Sequence, residues 1–216
     1  MIGIECYPVG VLQANCFFVY DEENGVSLLV DPGAASENLE ERINSFGAEK
    51  LQYILLTHGH FDHIGNAAAL KRKYPDVSIV ISEDDSPFTT NDSLNLSVFF
   101  GSSADHFTAD ILVNDGDQLD FGKEKISVIA TPGHTKGGVC YRLGSSFFTG
   151  DTIMKCTTGR MDFPTGSSAE MFASVKKLAA IPENLKLYCG HGSSSELDYE
   201  RKHNIAMGNC SYDDLY

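Results

Sequence analysis

Short apolar runs, separated by turn residues, open the chain. Residues 2–7, 11–20 and 26–31 are rich in β-branched and aromatic side chains, a pattern that predicts three strands. Asp31-Pro32-Gly33 closes this block as a turn. The period then changes. Leu39, Ile43 and Phe46 recur at helical spacing ahead of Gly47, which predicts a helix with a glycine stop. Residues 51–56 form a compact apolar run that predicts a buried strand, residues 63–74 a helix, and residues 77–82 another strand.

The stretch 83–117 is polar, dominated by Asp, Ser, Thr and Asn, and shows neither period. It is expected to contain short helices and reads as an irregular cover over a site or as a peripheral insertion. Strand patterns return at 125–130, 139–143 and 146–149. Ser167 with Glu170 three positions on is a capping box, and Phe172, Val175, Leu178 and Ala179 form the apolar face of the helix it opens. Residues 185–189 predict a last strand. A second box, Ser193 with Glu196, predicts a terminal helix. Helices interspersed among two groups of strands suggest helices outside packed sheets, in a single domain over 1–216.

Composition narrows the partners. Sixteen Lys+Arg against 30 Asp+Glu give a net charge of −14. Such a balance repels phosphate backbones and anionic lipid surfaces, so nucleic acid and membrane are not expected partners. Lys71-Arg72-Lys73 is the lone basic cluster and reads as a solvated helix end. No apolar run reaches the ~18 residues that span a bilayer. The six cysteines form no C-x-x-C pair and no secretory leader opens the chain, so a cytoplasmic protein with reduced thiols is expected. Cys16, Cys140 and Cys189 read as core residues, Cys156 as packing, and His106 and His203 as surface histidines. Oligomeric state is not legible.

Chemistry concentrates in Thr57-His58-Gly59-His60-Phe61-Asp62-His63, directly after a buried strand. In an extended turn His58 and His60 point the same way, and Asp62 and His63 turn toward a second point nearby. Imidazole and carboxylate suit zinc, iron or manganese. Three further metal-competent residues follow strand ends beside glycine: His134 after Gly133, Asp151 after Gly150, and His191 between Gly190 and Gly192. Together these seven residues are the candidate metal ligands.

The H-x-H-x-D-H run at 58–63, followed by His134, Asp151 and His191 in that order, resembles the ligand motifs of the metallo-β-lactamase superfamily; Ala14-Asn15-Cys16 is similar to a strand opening in that family. The resemblance implies an α+β fold, the αββα four-layer sandwich, with the metals at one edge. It implies His58, His60 and His134 on one metal, Asp62, His63 and His191 on a second, and Asp151 between them. Gly150-Asp151-Thr152 and Gly159-Arg160-Met161-Asp162-Phe163-Pro164 look like the short bacterial glyoxalase-II-like (hydroxyacylglutathione hydrolase-like) enzymes. Asp162 stands where those enzymes tend to have tyrosine, and the 25 residues after His191 (216 − 191) are too few for the helical C-terminal domain of the longer forms.

The implied activity is hydrolysis of acyl thioesters of the hydroxyacylglutathione type by a metal-bridging hydroxide. Two divalent ions, zinc first and iron or manganese as alternatives, would serve it, with Asp62 orienting the nucleophile. Arg160, with Lys136 beside it, is the implied reader of a small anionic acyl-thioester substrate. The bland alternative for Arg160 is an ion pair with Asp162. Two rival activities share the motif: a mononuclear iron persulfide dioxygenase and a non-catalytic metal-binding protein. Gly65-Asn66 and Phe163-Pro164 look more like the hydrolases. Asp151 stands where many β-lactamases keep a cysteine.

Overall fold

Alternation along the first strands explains the layering. In the computed structural model, which describes residues 2–100 and 105–207, β1 (Ile2–Val9), β2 (Ala14–Asp21) and β3 (Val26–Val30) form an antiparallel meander. Successive side chains of a strand point to opposite faces. Cys16 and Phe18 of β2 therefore enter one core while Phe17 and Val19 enter another. Leu29 and the pair Leu28 and Val30 of β3 divide in the same way. A strand apolar on both faces must be covered on both faces.

β4 (Leu51–Leu55), β5 (Ser78–Ser82) and β6 (Ile111–Val113) extend the sheet in parallel from β3, giving the order β1-β2-β3-β4-β5-β6. α1 (Glu37–Phe46) and α3 (Ala67–Lys73) cover its outer face, burying Leu39, Ile43 and Leu70 against Phe18, Leu29, Ile54 and Ile79. The short helix α2 (Phe61–Ile64) precedes α3. The second sheet runs β12-β11-β10-β9-β8-β7. Its strands are β7 (Gln118–Phe121), β8 (Glu124–Ala130), β9 (Val139–Leu143), β10 (Ser146–Gly150), β11 (Lys186–Cys189) and β12 (Ser195–Glu196). All pair antiparallel except β10 with β11.

The inner faces of the two sheets share a core in which Phe17, Val19, Leu28, Val30, Leu55 and Val80 meet Ile126, Val128, Val139, Tyr141, Leu143 and Phe148. On the far side of the second sheet, α4 (Ser168–Ala179) buries Met171, Val175 and Leu178 against Cys140, Phe147, Leu187 and Cys189. The layers are thus α, β, β, α. A final helix, α5 (Leu197–His203), adds Leu197 to this outer core. None of the described helices is long and apolar enough to cross a membrane.

Among the local expectations, the cap at Ser167 forms, its hydroxyl accepting the Glu170 N–H, and Ser36, which no motif marked, caps α1 in the same way through the Leu39 N–H. Four differ. Residues 11–13 are a turn, not strand, and Gln13 sits at φ 52°. The helix expected over 63–74 starts earlier, at Phe61, and breaks at Gly65 and Asn66 into α2 and α3. The break lets Gly65 pack so closely on the Gly33 carbonyl that a Cβ would lie 2.5 Å from its oxygen. The 83–117 stretch holds strand β6, and β7 follows it directly. The box at Ser193 does not form: Ser195 and Glu196 stay extended to pair with Leu187 and Lys186, so α5 begins only at Leu197. The side chain of Glu196 is taken instead by the Asn184 amide at 3.0 Å. Cys210 lies outside the described residues.

Candidate metal centre

Every metal-competent residue singled out above sits just past the end of a strand. His58, His60, Asp62 and His63 follow β4, His134 follows β8, Asp151 follows β10 and His191 follows β11. Parallel pairing of β10 with β11 brings Asp151 and His191 to the same end, and the Asn15 backbone N–H donates to the Gly190 carbonyl at 2.7 Å, tying the first sheet to the second there. Glycine is needed at this junction. A Cβ on Gly190 would lie 2.2 Å from Oδ1 of Asp151, and one on Gly150, at φ 47°, would lie 2.4 Å from Oγ1 of Thr57.

The side chains converge in sets whose ligand atoms lie within 4.8 Å of one another: His58 with His60 and His134, His58 with His63 and Asp151, and Asp62 with His63 and His191. Nδ1 of His60 faces Nε2 of His134 at 2.9 Å, and Nε2 of His63 faces Nε2 of His191 at 3.3 Å. The Asp151 carboxylate reaches both groups, 3.4 Å from His134 Nε2 and 3.7 Å from His63 Nε2.

The hydrogen bonds of these rings show which nitrogen turns inward. Nδ1–H of His134 donates to the Arg160 carbonyl at 2.6 Å, Nδ1–H of His63 to Oδ2 of Asp31 at 3.0 Å, and Nδ1 of His58 meets the Thr57 hydroxyl at 3.1 Å. Each turns Nε2 toward the cluster, the arrangement of a metal-ligating histidine held from outside. Nε2 of His58 and Oδ1 of Asp151 are buried with no hydrogen-bond partner among the described residues. Buried polar atoms are rarely left so, and converging lone pairs of imidazole and carboxylate fit a divalent cation of the zinc, iron or manganese kind.

The electrostatics divide along the same line. Burial, reinforced by the neighbouring imidazoles, holds His58 and His60 well below the usual histidine range, so both rings are neutral. Burial alone would do the same to His63, but Asp62, Asp31 and Asp151 outweigh it and push it up to about 10. Burial would raise Asp62, yet His63 and His191 bring it well below the usual carboxylate range. His191 is raised, first by its bond to Asp62.

Two acids that the sequence reading passed over organise the ligands. Asp31, buried and at φ 52°, accepts the Thr57 N–H at 2.8 Å and hydroxyl at 2.6 Å while holding His63. Its position after an apolar run, like that of Asp151, was the available signal. Asp85, fully buried, accepts the Gly59 N–H at 2.9 Å, the Thr135 hydroxyl at 2.7 Å and the Gly137 N–H at 2.7 Å. It lies in the aperiodic stretch, where nothing in the pattern marks it. That stretch also packs on the histidine loop through Asn95, whose carbonyl accepts the Phe61 N–H at 2.8 Å.

Arg160 reaches the centre through its backbone. Its guanidinium is bidentate on Asp162, both contacts 2.6 Å, and lies 3.9 Å from the Phe163 ring centroid. Lys136 pairs with Asp84 at 2.7 Å. His106 pairs with Asp92 and His203 with the Tyr199 carbonyl, both exposed and outside the cluster. Cys156 is half-buried beside Tyr199, and Cys16, Cys140 and Cys189 are buried.

The profile of the metallo-beta-lactamase superfamily matches residues 9–191, from the end of β1 to the last of the clustered histidines. The chain belongs to this superfamily. It is 32% identical to the hydroxyacylglutathione hydrolase GloC of Haemophilus influenzae, over 97% of this chain and 100% of that one. Among solved structures it is similar to the BLEG-1 B3 metallo-beta-lactamase, with a TM-score of 0.88 and 28% identity over 95% of this chain and 99% of that one. It is also similar to TTHA1623 in a di-iron-bound form, with a TM-score of 0.81 and 28% identity over 93% and 98%. The superfamily assignment places the chain among the metallo-hydrolases, and the clustered histidines and aspartates form a candidate metal-binding site.

Proposed function

We propose that this chain is a binuclear acyl-thioester hydrolase. The observation that carries the reading is the position of Asp151, whose one carboxylate touches both groups of inward-turned imidazoles. His58, His60 and His134 would hold one divalent ion, Asp62, His63 and His191 a second, with Asp151 shared. When bound, such ions supply Lewis acidity toward a carbonyl oxygen and a nucleophile at neutral pH.

The protein's own side chains then set the direction of proton traffic. Asp62, whose carboxylate lies 3.3 Å from His191 Nε2, would orient the nucleophile, and the residues clustered here offer no evident general acid. A leaving group that departs without a proton, as a thiolate does and an amine does not, suits such a site. The hydroxyacylglutathione hydrolase among the relatives supports a thioester of this kind. Arg160 and Lys136 would take the substrate's carboxylate by exchanging Asp162 and Asp84 for it. Zinc is the first candidate, and the di-iron form of a structural relative supports iron as the second.

Metal analysis run beside two assays tests this. Two ions per chain, with thiol release from S-lactoylglutathione or a simpler thioester, is the expected result. One iron per chain, with oxygen uptake on glutathione persulfide and no thiol release from thioesters, would overturn it in favour of a dioxygenase.

A further inference from the structure

We infer that the open cavity beyond Asp62 receives the acyl arm of the substrate, and that this arm is an uncharged alkyl or aryl group. The inference rests on the thioester reading above. The cavity measures about 500 Å³, within the range of small-molecule sites and larger than a three-carbon acyl group needs. Its apolar walls come from four separate pieces of chain. Val11 and Leu12 project from the turn between β1 and β2, Ala34 follows β3, Phe61 opens α2, and Phe100 ends the turn at 97–100. Val11 is 83% exposed, Leu12 41% and Phe100 48%. Apolar side chains scattered singly over a surface need no explanation, but these converge on one concavity that ends at a metal-site carboxylate. The Phe61 and Phe100 rings lie 4.5 Å apart and close its floor as an aromatic pair.

What the walls lack is equally specific. Among the described lining residues there is no hydroxyl, no amide and no basic side chain. The charged ones are acids: Asp62, turned to His191 at 3.3 Å, and Asp105, paired with Arg72 at 2.5 Å. A carboxylate on the acyl arm would be repelled by these two acids. Arg160 lies on the other flank of the centre, where its carbonyl holds His134. An anionic group on the substrate therefore belongs to the thiol arm, and the cavity is left to an apolar one. The preferred substrate carries a longer and less polar acyl group than a hydroxyacyl unit.

The test uses metal-loaded protein and two matched series on one neutral thiol, N-acetylcysteamine. Non-hydrolysable S-alkyl thioethers from propyl to heptyl are titrated by calorimetry. Acetyl, lactoyl and hexanoyl thioesters are assayed for thiol release. Affinity is expected to rise about two- to fourfold per methylene, and kcat/KM for hexanoyl to exceed that for lactoyl by about tenfold. Val11→Ser combined with Leu12→Ser, both at exposed turn positions, should reduce the gain per methylene to near one. Affinity indifferent to chain length, or a dependence that survives the double substitution, overturns the assignment. Chain-length-dependent binding without hydrolysis of any thioester supports the cavity and overturns the thioester reading. Hydrolysis of all three thioesters at similar rates does the reverse.

Discussion

Asp62 and Arg160 are charged side chains at the same centre, and they stand in opposite relation to the fold. Asp62 lies in α2, on a loop after β4, and touches His63 and His191 but no part of the cores. Asp62→Ala should therefore leave a folded protein. Loss of an acid–base contribution is worth about 10²- to 10⁴-fold, so thioester turnover should fall by at least about 100-fold. Near-wild-type turnover in a mutant with an unchanged circular dichroism spectrum would remove Asp62 from the chemistry. Arg160 is exposed and already satisfied by Asp162, which is itself held down to about 2 by that bond. If the substrate's carboxylate competes for the same guanidinium, Asp162→Asn should lower KM for an anionic thioester by about two- to fivefold, and Arg160→Ala should raise it. Neither should move KM for a neutral thioester of similar size. Parallel effects on both substrates would make the pair a structural staple.

At the scale of elements, the centre is a set of loops that must be held in register, and Asp85 does much of this. It stands at the head of the 3-10 turn Ser86–Thr90 and binds one loop carrying His58 and His60 and another carrying His134. Removing the acceptor leaves three buried donors without a partner. Each costs about 1–3 kcal/mol, and water entering the space offsets part of that, so Asp85→Ala should lose about 3 kcal/mol. For a chain of this length that is a fall of roughly 6–12 °C in Tm, readable by calorimetry. A smaller shift would mean that the loops are held by other contacts. The contrast with the ligands explains what could be read in advance. The candidate ligands follow legible apolar runs, and five of the seven, His58, His60, His134, Asp151 and His191, neighbour glycine, so pattern and chemistry coincide in sequence. Asp85 works through backbone N–H groups of residues 26 and 52 positions away, and no local pattern encodes that. The capping signals failed only at Ser193, where pairing along the β11 edge outcompetes the helix start. The helix break at Gly65 was hidden because its cause is Gly33, on another loop.

Across the whole molecule, both sheets contribute to one centre: four candidate ligands follow a strand of the first sheet and three follow strands of the second. Metal bound there would cross-link the sheets, and chelation should lower Tm. The size of that fall should depend on pH, with a sign set by His63. After chelation, the acids around His63 hold it protonated up to about 10, against about 6.5 in the unfolded chain. A folded pKa raised in this way gives stability that is fully present below 6.5 and is lost as pH rises toward 10. The loaded protein has no such term, because a ligating imidazole is neutral and proton competition for the metal weakens as pH rises. The gap in Tm between loaded and chelated protein should therefore widen from pH 6.5 to pH 9. Calorimetric scans at the two pH values, with and without a chelator, measure it directly. A gap that stays constant would mean that loading displaces no proton from His63, and the assignment of His63 as a ligand would fall with it.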